Sequence, residues 1–326
     1  MEYRRLGRTG MEVSALCLGT MQFGWTADEA TSLRVLDAAW QAGINFIDTA
    51  DIYSRWAPGN SGGESERILG VWLGRGRVPR QRLVIATKVR GEMGDGPNAS
   101  GLTRKHILAS AEGSLRRMGC GTIDLYQCHW PDEATPIEET LEAFEVLLRR
   151  GDVLAIGCSN FPAWRLMQAL WTAEARQVTP FTCVQPHYSL LQRAEFEREL
   201  EAVCLEHGLG VIPYSPLAGG FLTGKYRRGE APAPGTRGAS SSRLPRYMAD
   251  ERAWALLDLL QEQGAARGQT PSQMALAWLL SRPSVTSPII GPRSLEQLND
   301  NLGAVGLRLD AAEVEALDRS TAWADR

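Results

Sequence analysis

The stretch LVIATKVRGEMGDGPNASGLTRKHILASAEGSLRRMGCGTIDLYQCHW, residues 83–130, decides the architecture. It begins with the apolar run LVIATKV (83–89), continues through a Gly-rich loop to TRKHILASAEGSLRRMG (103–119), and returns to an apolar run in TIDLYQCHW (122–130). The outer runs are continuous rather than alternating, as in strands buried on both faces. The middle segment has the length and mixed polarity of an amphipathic helix. A strand, a crossover helix and a second strand make a parallel pair, because parallel neighbours need a long connection.

The same unit recurs on both sides. Upstream, ALCLG (15–19) precedes ADEATSLRVLDAAWQAG (27–43), and INFID (44–48) precedes GESERILGVWLGR (63–75). Downstream, TPIEETLEAFEVLLRRG (135–151) leads to VLAIGCSNF (153–161) and PAWRLMQALWTA (162–173). FTCVQ (181–185) then precedes EFERELEAVCLEHG (195–208), and LGVIPYSPL (209–217) precedes DERAWALLDLLQEQGAARG (250–268). SVTSPIIG (284–291) and SLEQLNDNLGAV (294–305) complete the series. Eight units in one chain fit a single-domain α/β fold over residues 1–326, a (β/α)8 TIM barrel with extra C-terminal helices. By strand count alone, a doubly wound open sheet is the rival. YRRLGRTGMEVS (3–14) reads as an N-terminal β-hairpin turning at Arg8-Thr9-Gly10 and plugging one barrel end. Thr270 with Gln273, and Ser294 with Gln297, carry capping-box spacing, and Pro271 sits at a first helical position. RRGEAPAPGTRGASSSRLPR (227–246) has too little apolar surface to order itself and reads as a flexible loop or a lid.

Composition narrows the function. A 44% hydrophobic content supports a large core, and a net charge of −3 without a basic block disfavours nucleic acid and anionic membranes as partners. No run approaches the roughly 20 apolar residues of a membrane span, and MEYRRLGRTG lacks a signal-peptide core. The six cysteines form no CxxC pair, and the four histidines are scattered. Metal binding and disulfides are therefore not expected, and a reducing cytoplasm is.

In a parallel barrel all C-terminal strand ends share one rim. The apolar runs stop at Gly19-Thr20-Met21, Asp48, Lys88, His129, Ser159-Asn160, Gln185, Tyr214-Ser215 and Gly291, and Tyr53 follows five residues after Asp48. Taken singly, these are ordinary capping, packing or surface residues. Together, Asp48, Tyr53, Lys88 and His129 allow coherent acid–base chemistry. A phenol has a pKa near 10, and a nearby ammonium stabilises its anion. Asp48 would hold Lys88 charged, Tyr53 would donate its proton to a carbonyl oxygen, and His129 would orient that carbonyl. The electrons must come from a cofactor.

NFIDTADIY, VIATK, QCHWPD, YSPLAGGFLTGKY and IGPRSLEQLNDN resemble, in order and spacing, segments of the aldo-keto reductase family. The resemblance covers nearly the whole chain. The longer SRWAPGNSGGESE loop is similar to bacterial members of the branch related to potassium-channel beta subunits. It implies a barrel without a Rossmann domain, NADPH as hydride donor, Tyr53 as general acid tuned by Lys88 and Asp48, and His129 as orienter. It implies a cofactor site that includes Gly19, Thr20, Met21, Asp48, Ser159, Asn160, Gln185, Tyr214, Ser215, Pro216, Leu217, Gly219 and Lys225. Ile290, Gly291, Arg293, Gln297, Asp300 and Asn301 form its phosphate and adenine end. Independently, a helix start preceded by Arg293 suits a phosphate, and an arginine there favours NADPH over NADH. Trp25, Trp56 and Trp130 are candidate walls of a substrate pocket.

Two motifs are decoys. GGFLTGKY (219–226) nearly spells a P-loop, but Tyr226 stands where the Mg²⁺-binding Ser/Thr belongs. No GxGxxG follows any strand, which counts against a Rossmann dehydrogenase. The expected activity is NADP(H)-dependent reduction of a small aldehyde, ketone or sugar. A slow-turnover regulatory subunit and a Schiff-base Lys88 are the alternatives. Asp51, beside this constellation, is expected only to cap a turn.

Overall fold

The structure is a computed structural model describing residues 1–232 and 243–323. Its strands are β1 (Tyr3–Arg5), β2 (Glu12–Ser14), β3 (Cys17–Gly19), β4 (Phe46–Asp48), β5 (Val84–Val89), β6 (Ile123–Cys128), β7 (Val153–Ser159), β8 (Cys183–Gln185), β9 (Gly210–Val211) and β10 (Ile289–Ile290). The helices are α1 (Glu29–Gln41), α2 (Glu64–Gly74), α3 (Arg104–Met118), α4 (Ile137–Arg150), α5 (Ala163–Arg176), α6 (Ala194–Glu197), α7 (Leu200–Glu206), α8 (Leu244–Met248), α9 (Glu251–Arg267), α10 (Pro271–Ser281), α11 (Leu295–Leu302) and α12 (Ala311–Ser320).

Strands β3 to β10 form one all-parallel sheet in the order β10-β3-β4-β5-β6-β7-β8-β9. Across the seam, Ile289 N donates to the Pro213 carbonyl at 2.8 Å and Thr286 N to the Val211 carbonyl at 2.8 Å. The sheet is thus the (β/α)8 barrel and not the open sheet. Strand alternation separates two layers. Phe46, Ala86, Leu125, Ala155 and Cys183 fill the barrel interior. Ile47, Ile85, Tyr126, Ile156 and Val184 point outward into the larger core shared with the helices.

The hairpin closes the end opposite the strand C-termini. β1 and β2 pair antiparallel, and Leu6 and Val13 join the interior cluster. Gly7 lies at φ 54, and a Cβ there would sit 2.4 Å from the Thr182 carbonyl oxygen. Only glycine lets the floor approach the barrel this closely.

Several boundaries differ from the sequence reading. In LGVIPYSPL only Gly210–Val211 is strand. Pro213 and Pro216 have no N–H to give a ladder, and Ser215 turns at φ 55. In SVTSPIIG only Ile289–Ile290 pairs, again after a proline, Pro288. The helix expected over 195–208 is broken into α6 and α7, with Glu199 out of helical geometry at φ −142. The Thr270–Gln273 capping box is complete, with Pro271 in the first turn of α10. At α11 Ser294 caps, but the Gln297 side chain accepts from Arg293 N at 2.9 Å instead of returning to Ser294 N. Residues 233–242, the middle of the expected loop or lid, lie outside the described residues. Its last part is ordered, because Leu244 and Tyr247 of α8 give it apolar surface that packs beside Phe221. Among the described residues no helix is long and apolar enough to cross a membrane.

Candidate active site

The register that stacks the interior also builds the site. Asp48 stands two residues beyond Phe46, Lys88 beyond Ala86, Gln127 beyond Leu125 and Gln185 beyond Cys183, so each faces inward one layer higher. The floor of the layer is apolar and its top is polar. Gly157 leaves room between them: a Cβ there would lie 2.8 Å from the Cys183 carbonyl and 3.4 Å from the Gln127 side chain.

Lys88 is fully buried and its ammonium is the hub. Nζ donates to Asp48 Oδ2 at 2.5 Å, to the Thr49 carbonyl at 2.9 Å and to the Tyr53 hydroxyl oxygen at 2.9 Å. Burial alone pushes this amine down, but the Asp48 carboxylate and Tyr53 outweigh it and hold Lys88 above the ordinary lysine value. The second Asp48 oxygen accepts from Gln127 Nε2 at 3.2 Å and Gln185 Nε2 at 2.9 Å. Gln127 was not singled out by the sequence. Its signal is its place two residues before His129, at the Lys88 level of the next strand.

His129 directly follows β6, stacked on Trp130 at 3.8 Å and edge-on to Tyr53 at 5.6 Å. Burial, then the Lys88 and Arg90 charges, push its imidazole well below the usual histidine value, so the ring is neutral. Its Nδ1 is buried without a hydrogen-bond partner.

A single cavity of about 920 Å³ collects the predicted residues. Tyr53, His129, Trp56 and Trp130 line it, as do Arg293, Gln297, Asp300 and Asn301. Gly19, Thr20, Met21, Asp48, Ser159, Asn160, Gln185, Tyr214, Ser215, Pro216, Leu217, Gly219, Lys225, Ile290 and Gly291 complete the predicted part of the lining. Two predicted residues are set back. Lys88 lies beneath the cavity wall, and Trp25 stands behind Trp56, edge-on at 5.6 Å. Thr270 and Arg243 also line the cavity, although the sequence marked neither as a ligand-facing residue.

Some polar groups already have protein partners. Asn160 Nδ2 donates to the His129 carbonyl at 2.9 Å, and the Tyr214 hydroxyl donates to Asn160 Oδ1 at 2.8 Å. Ser159 Oγ donates to the Gln185 carbonyl at 2.8 Å. Asp300 accepts from Thr270 Oγ1 at 2.7 Å, which occupies the acid that stands near the Arg293 end. Asn160, Ser215 and Ala218 hold left-handed backbone at φ 61, 55 and 50. Non-glycine strain of this kind concentrates where a surface is shaped for a ligand.

Asp51 corrects the sequence reading. Its backbone serves the turn, since its carbonyl accepts from Gly63 N at 2.6 Å and its N–H donates to the Lys88 carbonyl at 3.3 Å. Its carboxyl caps nothing: it is fully buried, and neither oxygen makes a hydrogen bond of good geometry. Burial first, then the Glu66 carboxylate, push it well above the usual carboxylate range, against weaker pulls from Arg117, the Ile52 N–H and Lys88.

Known proteins resemble this chain in sequence. Residues 15–322 match the Aldo/keto reductase family. The chain is 43% identical over 314 residues to "Uncharacterized oxidoreductase YrpG" of Bacillus subtilis (strain 168), covering 95% of this chain and 93% of that protein. It is 32% identical to "Probable voltage-gated potassium channel subunit beta" of Arabidopsis thaliana, over 94% of this chain and 91% of that one. It is 33% identical to "Versiconal hemiacetal acetate reductase" of Aspergillus parasiticus, over 98% and 96%. The polar ring at the barrel mouth and a match spanning almost the full length lead to one conclusion: the chain is an oxidoreductase-type barrel that belongs to the aldo/keto reductase family.

Proposed function

We propose that the protein reduces aldehydes or ketones to alcohols with NADPH, using Tyr53 as general acid. The observation that carries this reading is the Tyr53 hydroxyl at the cavity wall, 2.9 Å from the buried Lys88 ammonium. Because Lys88 donates to the phenol oxygen, the Tyr53 proton is not used in that bond. As a carbonyl oxygen gains negative charge, Tyr53 gives it that proton, and the ammonium stabilises the phenolate left behind. Asp48 keeps the ammonium charged and fixed. Neutral His129 donates one ring N–H to the same oxygen, which orients the carbonyl and stabilises its developing charge. Trp56 and Trp130 line the cavity and offer apolar surface to the substrate.

The residues present fit a dinucleotide. The cavity is lined both by the two tryptophans and by residues at the start of α11. Among the described residues the half-buried Arg293 guanidinium carries no hydrogen bond or ion pair, so it is available to a phosphate. Gly220 holds φ 93, and a Cβ there would sit 2.8 Å from Lys225 Nζ, which keeps the backbone open beside that lysine. NADPH, when bound, supplies the hydride. Ser159, Asn160, Gln185 and Tyr214 would hold its nicotinamide end, the segment from Ser215 to Lys225 its pyrophosphate, and Arg293, Gln297 and Asn301 its adenosine phosphate.

Tyr53→Phe is expected to lower aldehyde-dependent NADPH oxidation by about 10²- to 10⁴-fold, the usual weight of a positioned general acid, while NADPH binding is unchanged. Turnover near the parent level overturns the role. A Schiff-base role for Lys88 is disfavoured, because a raised pKa is the opposite of what a nucleophilic amine requires. The similarity to a probable channel subunit supports a second reading, a cofactor-binding regulatory subunit with slow turnover. Tight NADPH binding with negligible turnover across an aldehyde panel would favour it.

A further inference from the structure

Four tryptophans expose much of their indole: Trp56 at 47%, Trp130 at 37%, Trp164 at 63% and Trp171 at 70%. The first two line the cavity. The other two stand on α5, which buries Ala163, Leu166, Ala169 and Ala173 against the barrel. Met167, 36% exposed, lies between them. Residues three, four and seven apart share one helix face, so Trp164, Met167, Gln168 and Trp171 form an outward stripe. The two indoles are about 10 Å apart along the axis. The stripe is also held in place at one end. The Arg165 guanidinium lies 5.8 Å from the Trp164 ring and donates to Gln168 Oε1 at 3.0 Å and to the Asp132 carbonyl at 3.0 Å.

The stripe carries an exposed tryptophan at each end. WRLMQALW (164–171) has tryptophan at both ends, and Met167 and Gln168 flank its midpoint. An isologous dimer requires one patch that complements itself when reversed. An axis passing between Met167 and Gln168 and normal to α5 sets Trp164 of one copy against Trp171 of the other, and does so twice. The area agrees with such an occupant. From typical buried areas of aromatic side chains, the stripe exposes on the order of 400 Å² of apolar surface per copy. Two copies together would bury roughly 800 Å², a fitting apolar centre for a standard interface of ~1,600 Å² once the polar rim is added.

We propose that α5 is the interface of a symmetric homodimer, in which two antiparallel α5 helices bury Trp164 and Trp171 against each other. None of the α5 residues lines the cavity, so the dimer contact and the chemistry are separable.

Sedimentation velocity on the full chain tests the proposal together with cysteine cross-linking. The parent protein is expected to run at twice the chain mass at micromolar concentration, and Trp171→Glu as a monomer with unchanged NADPH affinity. For the geometry, Trp164→Cys and Trp171→Cys variants are oxidised separately and as a mixture. The native cysteines are all buried. Disulfide-linked dimers only in the mixture support the antiparallel register, and they do so even if Trp171→Glu does not fold. A monomeric parent protein at every concentration, or an oligomer whose cross-links form in neither arm, overturns it.

Discussion

At the scale of single residues, the site is a set of charges with unequal support. Asp48 has three donors and Lys88 has three acceptors, while Asp51 has neither. Asp51 therefore stays protonated in the fold. Its pH linkage has a definite sign. Above about pH 4 the unfolded chain releases this proton, but the folded chain retains it, so stability falls as pH rises until the raised folded value is reached. Asp51→Asn keeps the shape and cannot ionise. Its melting temperature relative to the parent protein is expected to be similar near pH 4 and a few degrees higher by about pH 8. A constant difference across that range would show that the Asp51 carboxyl is ionised in the fold. The sequence places Asp51 beside the catalytic pair, but burial and the Glu66 neighbour depend on α2 and cannot be read from NFIDTADIY.

At the scale of elements, helix starts and strand ends divide the work. The start of α11 offers Arg293, and Ser294 occupies the cap, so the first-turn N–H groups are partly satisfied without a ligand. The side chain of Arg293 is then the main discriminator between phosphorylated and plain dinucleotides. A charge-assisted bond of about 1.5–3 kcal/mol corresponds to roughly 10- to 100-fold in affinity. Arg293→Ala is expected to weaken NADPH binding by that factor and leave NADH binding within about twofold, as measured by fluorescence titration. Equal losses for both cofactors would assign Arg293 a structural role. Elements were most legible where pattern and propensity agree, as in β5, β6, β7, α3 and α4. They were least legible at β9 and β10, where apolar residues continue past the last ladder bond and prolines remove the donors.

At the scale of the whole molecule, the barrel depends on one weak seam. β9 and β10 pair with their other neighbours through regular ladders but meet each other through isolated bonds. One of these is a side chain: Thr286 Oγ1 accepts from Val211 N at 3.1 Å. Thr286→Val preserves volume but leaves a buried N–H without its acceptor, at a cost of about 1–3 kcal/mol. Thermal or urea unfolding should show that loss, and an unchanged midpoint would mean that the seam contributes nothing to closure. The sequence by itself determined the parallel strand–helix alternation, the inward facing of alternate residues and hence the roster at the barrel mouth, because periodicity is a local property of the chain. Only the tertiary structure decided that Gln127 and Gln185 hold Asp48, that Asp300 is occupied by Thr270, and that Asp51 is buried and unpaired. Hydrogen-bond partners and desolvation are set by residues far apart in the chain, as for Gln185 and Asp48, 137 positions apart, and no local pattern encodes such a distance.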